Sequence, residues 1–289
     1  MSDVPEDIRP IVDRLCPTQD QELIPWSHPD TLAGLTQSIW DYFQRNKETR
    51  KQLERKIKLW RDIEPHLRSK MDCKLKVTGS TFTGYGGLGS DVDMCLFTKT
   101  SSMKSQQLRR AQAIIQRECS NYLSGEVIEA KVPVLKMKFQ NEDNGTINVD
   151  MTVDNYSAVR NTHLLFYYSQ LDPRVRPLVM AVKWWAKKND INEPRYQTLS
   201  SYTLTLMLIH FLQCGVSPPV LPCLQEKHSE IFNARSDIVD LDYDDKNILS
   251  FTSENKQAVG SLYGDFFNYF TDKSRYLESM EVLSLIFEK

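Results

Sequence analysis

The sequence predicts an α+β fold in which a small mixed sheet with flanking helices is joined to a mostly helical domain. Two observations carry this prediction. Runs that alternate apolar and polar residues, as half-buried strands do, fall between residues 73 and 153. Apolar residues at helical spacing precede these runs, separate them once and dominate the chain after Asn161. The element order helix, strand, strand, helix, strand, strand therefore describes an α/β unit, and a helical domain follows it.

The residues before the strands divide into two parts. Residues 1–28 contain several prolines and little periodicity, so we predict a mobile lead-in. Residues 31–68 are dense in Leu, Gln, Lys, Arg and Glu with apolar residues at helical spacing, which indicates one or two amphipathic helices. Pro65 is expected to interrupt the end of the second helix. The predicted domains are a sheet-containing domain at 48–157 and a helical domain at 29–47 and 158–289.

Four segments are expected to form the sheet. They read CKLKVTGS, SDVDMCLF, VIEAKVPVLKMKF and TINVDMTV, and the turn NEDNG separates the last two. A helix is expected at about 105–124 between the second and third segments. After Asn161 we expect two strongly apolar helices, the first broken at Asp172-Pro173 and the second ending at Cys214-Gly215. The aromatic segment SLYGDFFNYFTD is expected to form a last helix.

Composition and charge narrow the function classes. The chain has 289 residues, of which 40% are hydrophobic and 26% charged, and no apolar run reaches the ~18 residues of a membrane helix. The start MSDVPEDIRP does not resemble a signal peptide. A net charge of −2 lacks the basic excess of proteins that grip long nucleic acid unaided. Six cysteines without CxxC spacing do not indicate structural zinc and favour a reducing compartment, the cytoplasm or the nucleus.

The most informative stretch is GSTFTGYGGLGSDVDMCLF, residues 79–97. Asp91 and Asp93 are two apart on a predicted strand, so they share a face and repel each other. Such a pair needs a divalent cation, a basic side chain or solvent, and the apolar flank MCLF argues against solvent alone. Gly79-Ser80 and four further glycines precede the pair, and glycine backbones allow N–H groups to approach a phosphate. A flexible hairpin would explain the glycines but not the SDVD that follows them.

A third carboxylate completes a site for two hard cations. Asp150 lies in the middle of the apolar alternating run INVDMTV, where an aspartate is poorly favoured and needs a partner. Asp154 at the end of this run is expected to be a cap or turn residue. The sequence thus predicts a metal site on Asp91, Asp93 and Asp150 beside a loop that could bind phosphate.

These motifs resemble the DNA polymerase beta-like nucleotidyltransferases. The segments NTHLLFYYSQLDPRVRPLVMAVKWWAKKNDIN and TLSSYTLTLMLIHFL are similar to the central domain of cytoplasmic poly(A) polymerases, above all the germline-development type, and of terminal uridylyltransferases. The resemblance covers roughly residues 30 to 270. It implies a catalytic domain at 48–157, a helical central domain, a nucleotide cleft between them, and template-independent transfer of AMP from ATP to RNA 3′ ends.

The resemblance also implies roles for individual residues. Asp91, Asp93 and Asp150 would hold two Mg²⁺ or Mn²⁺ ions. The implied nucleotide contacts are Gly79, Ser80, Ser90, Lys183, Lys187 and Ser201 for the phosphates, Asn161 and Thr162 for the sugar, and Tyr202 for the base. From the residues alone, Lys183 and Lys187 share a helix face, which is either a solvated basic face or an anion site; apolar neighbours predict partial burial of Lys183. Tyr202 is either a core aromatic or a stacking platform.

Three other functions stay open at this point. A uridylyltransferase would carry the same carboxylates, an inactive relative would serve as a binding scaffold, and an oligoadenylate synthase would need a basic RNA track that the charge does not indicate. No RNA-recognition module is visible in the sequence, so we expect an RNA-binding adaptor protein to deliver RNA 3′ ends, and neither a membrane nor DNA as partner.

The last residues depart from the family pattern. Relatives continue past SLYGDFFNYF with a segment that contributes to base recognition, whereas this sequence reads TDKSRYLESMEVLSLIFEK with helical spacing. Stacking alone discriminates bases less than hydrogen bonding does. We therefore expect a weak preference for ATP over UTP, or an inactive form that still binds metal and nucleotide.

Overall fold

The computed structural model describes residues 4–6, 8–17, 33–99, 102–238 and 241–271. The chain forms two compact units. The first comprises Met1–Asp20, Glu48–Phe166 and Asp237–Asp244, and the second comprises Gln21–Lys47, Tyr167–Ser236 and Asp245–Lys289. In the part of the chain that is described, no helix has the length and apolar character needed to cross a bilayer.

Helices and strands are interspersed in the first half of the chain, and the described residues after β5 form helical elements only. In chain order the elements are α1 (Arg9–Leu15), α2 (Ala33–Asn46), α3 (Arg50–Met71), β1 (Cys73–Thr78), α4 (Ser80–Thr83), β2 (Val92–Thr98), α5 (Lys104–Glu118), β3 (Tyr122–Ile128), β4 (Val134–Gln140), β5 (Thr146–Val153), α6 (Tyr156–Leu171), α7 (Val175–Lys188), a 3₁₀ turn (Pro194–Tyr196), α8 (Ser201–His210), a π turn (Phe211–Gly215), α9 (Leu224–Lys227), α10 (Lys246–Leu249) and α11 (Val259–Thr271).

The first unit is built on a five-stranded sheet in the order β1-β2-β5-β4-β3. β2 and β5 are parallel, and the other three pairs are antiparallel, so the mixed sheet predicted from the sequence is confirmed. One face carries the apolar core together with α3 and α5. Its buried side chains on the three inner strands are Val92, Met94, Leu96, Leu135, Met137, Phe139, Val149, Met151 and Val153. Because side chains alternate along a strand, Asp93 and Asp150 point to the opposite face.

Helix α3 positions one side of this core. Thr49 caps its first turn by accepting a hydrogen bond from the N–H of Gln52, whose side chain accepts from Thr49 N in return. The expected interruption at Pro65 is wrong, since the helix continues to Met71. Proline removes one backbone hydrogen bond, but the buried Leu67 and Met71 extend the apolar stripe of the helix beyond it, and their burial offsets that loss.

The third predicted strand is two strands. VIEAKVPVLKMKF contains the end of β3 and most of β4, and the predicted helix at 105–124 ends at Glu118, so YLSGEVI is free to form β3. β3 is the edge of the sheet, and Leu123 and Ile128 on it are exposed. An edge strand with little buried surface lacks the apolar alternation by which strands are recognised, which is why it was missed.

The predicted mobile lead-in is wrong for residues 9–15. They form α1, in which Ile11, Val12 and Leu15 are buried, and α1 packs on α3. Pro10 occupies the first turn of α1, where a proline costs no hydrogen bond. This proline therefore marks the start of a helix and not a loop.

The second unit is helical, as predicted. The expected break at Asp172-Pro173 separates α6 from α7, and the expected end at Cys214-Gly215 coincides with the π turn. At the break, the buried Arg174 guanidinium binds both carboxylate oxygens of Asp172, at 2.8 and 2.7 Å, and donates to Asn255 Oδ1 at 3.0 Å. The predicted aromatic helix is α11. The helix predicted within residues 272–289 lies outside the described residues.

Candidate active site

A row of polar side chains crosses the sheet on the face opposite the core. Asp93 of β2 and Asp150 of β5 are register partners in the parallel pair, so their carboxylates are neighbours although they are far apart in the sequence. Antiparallel pairing places Thr78 of β1 on the other side of Asp93, and Lys136 of β4 on the other side of Asp150. The row therefore reads Thr78, Asp93, Asp150, Lys136, with two negative charges adjacent at its centre.

Asp91 joins this pair from just outside the strand. β2 begins at Val92, so Asp91 precedes the strand that was predicted to contain it, and its side chain is exposed. Nδ2 of Asn148 donates to Asp91 Oδ1 at 3.1 Å. Asn148 lies two residues before Asp150 on β5 and shares its face. The three predicted carboxylates thus come together at the start of β2, beside the middle of β5.

Gly79 closes one side of Asp93. Its φ of +66° is a conformation that other residues rarely adopt, and a Cβ there would lie 2.1 Å from Asp93 Oδ2. The Gly79 N–H donates to Thr162 Oγ1 at 2.9 Å, and the Thr162 hydroxyl donates to Ala158 O at 2.6 Å. Glycine is required at position 79 because the backbone passes close to the Asp93 carboxylate. The hydrogen bond to Thr162 on α6 holds this backbone in place.

The pKa of Asp93 is shifted by its surroundings. Burial raises the pKa of Asp93 to about 6, and the charges of Asp150 and Asp91 add to this rise. A hydrogen bond from the Ser80 backbone and the charge of Lys56 lower the pKa but do not cancel it. The ionised form of Asp93 is therefore less favoured than that of an exposed aspartate, and a nearby cation would favour it.

The carboxylate oxygens of Asp91, Asp93 and Asp150 are suitable ligands for a hard divalent cation, but they are not arranged around a common point. Within residues 4–6, 8–17, 33–99, 102–238 and 241–271, no three His, Cys, Asp or Glu side chains are close enough together to form a ready ion cage. The oxygens are engaged elsewhere, since Lys136 Nζ lies 2.6 Å from Asp150 Oδ2 and Asn148 holds Asp91. Asp91, Asp93 and Asp150 supply carboxylate oxygens, the ligand type that Mg²⁺ and Mn²⁺ prefer. Binding would require Asp91 and Asp150 to turn from these partners.

The predicted phosphate loop lies beside Asp93. Gly79 precedes the single turn of α4, and Gly84 follows it as the C-cap residue. A Cβ on Gly86 would lie 2.8 Å from Ser90 Oγ and 3.5 Å from Ser80 Oγ, so the two serine hydroxyls converge over this glycine. Both predicted serines therefore face one small area of the loop, with the Ser80 N–H directed to Asp93.

Three side chains of the site were not predicted. Lys136 pairs with Asp150, Asn148 binds Asp91, and the buried Lys56 of α3 donates to Ser90 Oγ at 2.8 Å. The strand periodicity of VLKMKF carries the signal for Lys136, because it alternates with the apolar residues as Asp150 does. Lys56 had no such signal, since a lysine among the charged residues of an amphipathic helix is normally exposed.

The remaining predicted contacts are placed on helices. Asn161 is half-buried on α6 in the first unit, next to Thr162. In the second unit, Lys183 on α7 is half-buried, which confirms its predicted partial burial, and Lys187 one turn later is exposed. The contacts of all four residues with a nucleotide stay predictions, Thr162 included, because its hydroxyl already makes two hydrogen bonds within the protein.

Ser201 and Tyr202 open α8 in the second unit. Ser201 Oγ donates to Asn192 Oδ1 at 3.0 Å, so the hydroxyl predicted to contact phosphate has a partner within its own unit. Burial raises the pKa of Tyr202 to about 12, so its ring is neutral at any physiological pH. The side chain is half-buried, which leaves both the core and the stacking interpretation open.

Asp154 has the turn role that was predicted. Its backbone φ is +48°, and its Oδ1 accepts a hydrogen bond from the N–H of Thr98 at 3.2 Å. It belongs to the junction between β5 and α6 and not to the carboxylate row.

Comparison with known proteins identifies the family. The family model of the central palm domain of poly(A) RNA polymerase, mitochondrial-like, matches residues 35–170. The structure of the GLD-2–GLD-3 poly(A) polymerase complex matches with a TM-score of 0.71 and 34% identity over 86% of this chain and 78% of that one. The chain belongs to the GLD-2 family of poly(A) RNA polymerases. The mixed sheet with its helices is accordingly the polymerase beta-like nucleotidyltransferase fold, which confirms the fold predicted from the sequence.

Two further proteins are similar to this member of the GLD-2 family. The Drosophila melanogaster poly(A) RNA polymerase gld-2 homolog A is 35% identical over 261 residues, which are 86% of this chain and 19% of the fly protein. The chain therefore spans about a fifth of the length of that relative. A structure of the Cid1 poly(U) polymerase matches with a TM-score of 0.69 and 27% identity over 83% of this chain and 75% of that one.

Proposed function

We propose that this chain transfers AMP from ATP to RNA 3′ ends without a template. The observation that carries the proposal is the parallel register of Asp93 and Asp150, with Asp91 beside them, on the fold of the GLD-2 family. In the reaction, the 3′-oxygen of the RNA attacks the α-phosphorus of ATP, the bond from that phosphorus to the bridging oxygen breaks, and pyrophosphate leaves.

The carboxylates have distinct parts in this proposal. Asp91 and Asp93 would each hold both divalent ions, and Asp150 would hold the ion nearest the RNA 3′-hydroxyl. When bound, Mg²⁺ or Mn²⁺ lowers the pKa of that hydroxyl and offsets the charge of the leaving pyrophosphate. Lys136, now paired with Asp150, would be released toward solvent or phosphate as the ions enter.

The other predicted residues would orient the nucleotide. The hydroxyls of Ser80 and Ser90 converge over Gly86, and we assign the triphosphate to this loop, from Gly79-Ser80 to Ser90. Lys183, Lys187 and Ser201 would complete the phosphate contacts. Tyr202 would stack on the base, an interaction worth about 1–3 kcal/mol that accepts any base; Asn161 would contact the sugar.

One assay tests the reaction and its specificity together. Purified chain is incubated with a 5′-labelled oligo(A) primer, Mg²⁺ or Mn²⁺, and each of the four nucleoside triphosphates in turn. The proposal expects extension with ATP and little with GTP or CTP. No extension with any nucleotide in either metal contradicts it.

A uridylyltransferase is the second candidate. The Cid1 poly(U) polymerase structure matches almost as well as the GLD-2 structure, with TM-scores of 0.69 and 0.71, although its identity is lower. Stacking by Tyr202 would not separate the two bases. Faster extension with UTP than with ATP in the same assay would favour this candidate.

We also propose that an adaptor protein delivers the RNA. The GLD-2 structures are of complexes with GLD-3 and with RNP-8, and this chain has a net charge of −2. Without a basic excess, binding of free RNA should be weak and sensitive to salt. Tethering the primer to the chain through a fused RNA-binding module should raise the extension rate by effective concentration alone.

A further inference from the structure

The side chain of Lys56 is buried beside the phosphate loop. It is 5% exposed, although it is a lysine on the amphipathic helix α3. Its Nζ forms an ion pair with Oε1 of Glu48 at 2.5 Å, and Glu48 is 7% exposed. Desolvation of a buried lysine and glutamate costs free energy, so a role in stability alone does not account for this pair.

The same ammonium reaches the loop. Lys56 Nζ donates to Ser90 Oγ at 2.8 Å, and Ser90 Oγ is the atom that converges with Ser80 Oγ over Gly86. The ammonium is also close enough to the catalytic face for its charge to lower the pKa of Asp93. Lys56 therefore links α3 to the predicted triphosphate loop and to the carboxylate row.

The hydrogen bond fixes the direction of the serine proton. An ammonium can only donate, so Ser90 Oγ must accept from Lys56, and its own proton must point to another acceptor. A serine hydroxyl that accepts from a cation is polarised and becomes a better donor to an anion. The ion pair with Glu48 holds the ammonium in place.

We propose that Lys56 is a positioning residue for the triphosphate of the nucleotide, acting through Ser90, whose hydroxyl it orients and polarises as a donor to a phosphate oxygen. The inference rests on the proposed function in one respect, that the loop binds a nucleoside triphosphate. It adds a residue outside the loop and a buried ion pair to the phosphate site.

The test compares ATP with AMP, because the two share base, sugar and one phosphate. Binding of each to the whole chain is measured by isothermal titration calorimetry with Mg²⁺ and without RNA. Lys56→Met alone would leave Glu48 buried without a counter-ion, so the principal variant is Lys56→Met with Glu48→Gln, which removes both charges. Its thermal unfolding midpoint shows whether it is folded.

We expect the double variant to bind ATP roughly tenfold more weakly, the size of one hydrogen bond to a charged group, and AMP less than about twofold more weakly. Ser90→Ala should cause the same loss for ATP, and adding it to the double variant should cause no further loss, because both changes remove one interaction. Ser90→Ala leaves the ion pair intact, so it tests the proposal even if the double variant does not fold.

The matched control is Lys58→Met with Glu142→Gln. This pair also joins α3 to the sheet region, but both side chains are more than half exposed, and ATP affinity should not change. If the wild-type chain binds ATP and Ser90→Ala or the folded double variant binds it equally well, the inference is wrong while the proposed function stands. If the wild-type chain binds no ATP, the proposed function itself fails. Equal losses for ATP and AMP would show a merely structural ion pair.

Discussion

Asp150 of β5 lies between a like charge and an opposite one, with Asp93 as its register partner on β2 and the ammonium of Lys136 2.6 Å from its Oδ2. Lys136 is a cation that this face of the sheet supplies from its own strands, and it contacts Asp150 directly. Its position explains how two adjacent carboxylates are tolerated on a folded sheet before any metal is bound. It also means that a divalent ion must compete with a lysine for Asp150.

Lys136→Met should change metal dependence in a defined direction. Without the ammonium, the repulsion between Asp150 and Asp93 is uncompensated, so the unfolding midpoint in metal-free buffer should fall. Lys136 is 40% exposed, and solvent screening keeps this cost below about 1 kcal/mol. Mn²⁺ should bind the variant more tightly and raise its midpoint by more than it raises that of the wild type. Thermal melts with EDTA and with a Mn²⁺ titration measure both effects. Unchanged Mn²⁺ affinity would refute the competition.

Asp93→Asn should stabilise the metal-free protein. The substitution removes a partly buried charge that faces two other carboxylates, and it keeps an oxygen to accept from the Ser80 N–H. A gain of about 1 kcal/mol would raise the midpoint by about 2–4 °C for a chain of this size. With saturating Mn²⁺ the wild type should have the higher unfolding midpoint, because its Asp93 carboxylate binds the ion and the variant's amide does not. A variant less stable than the wild type in EDTA would argue against repulsion at this face.

Gly79→Ala should be far more damaging than Gly89→Ala. Both glycines have positive φ, +66° and +72°, so both alanines take on backbone strain of about 1–2 kcal/mol. Only at Gly79 does the new Cβ meet Asp93, at 2.1 Å, whereas nothing lies within 4 Å of a Cβ at Gly89. Urea unfolding should therefore show a larger loss for Gly79→Ala, and Mn²⁺ binding should weaken in that variant alone. Equal losses in the two would mean that Asp93 moves aside at no cost.

Arg174→Met should strongly destabilise the second unit. Arg174 is 1% exposed and binds the buried Asp172 in two hydrogen bonds, while its Nη1 donates to Asn255 Oδ1 and to Gln257 O. Removing it leaves a buried carboxylate without its counter-ion, which costs about 3–5 kcal/mol.

Arg45→Met is the control for this change, since its pair with Asp41 on α2 is exposed and worth less than about 0.5 kcal/mol. Chemical denaturation compares the two. A loss below about 1 kcal/mol for Arg174→Met would show that the network contributes little.

The predictability of the site follows from strand periodicity. Asp91 and Asp93 are two residues apart on a predicted strand and Asp150 interrupts an apolar alternating run, so the sequence alone predicts that the first two share a face and that Asp150 has a partner. The pairing of β2 with β5, which brings Asp93 next to Asp150, depends on contacts distant in sequence and could not be inferred from either strand. The resemblance to polymerase beta-like enzymes implies one metal site for the three carboxylates, and the strand pairing itself comes from the structure.

What the sequence did not predict has physical causes as well. β3 is an exposed edge strand, so it lacks a buried alternating face. α1 was hidden by Pro10, which reads as a loop residue but stands at a helix start. Lys56 is buried only because Glu48 and Ser90 meet it in three dimensions. Charged residues on an amphipathic helix give no indication of such an exception.

Primer extension by Asp150→Asn measures the central claim most directly. A 5′-labelled oligo(A) primer is extended with ATP and Mn²⁺ by the wild type, by Asp150→Asn and by Asp143→Asn, whose carboxylate lies exposed in the turn between β4 and β5. We expect the Asp150 variant to lose at least ~100-fold in rate, as is typical when a group that stabilises the transition state is removed, while it stays folded and the Asp143 variant extends normally. Near-normal extension by folded Asp150→Asn would contradict the assignment of the three carboxylates as the metal centre of nucleotidyl transfer.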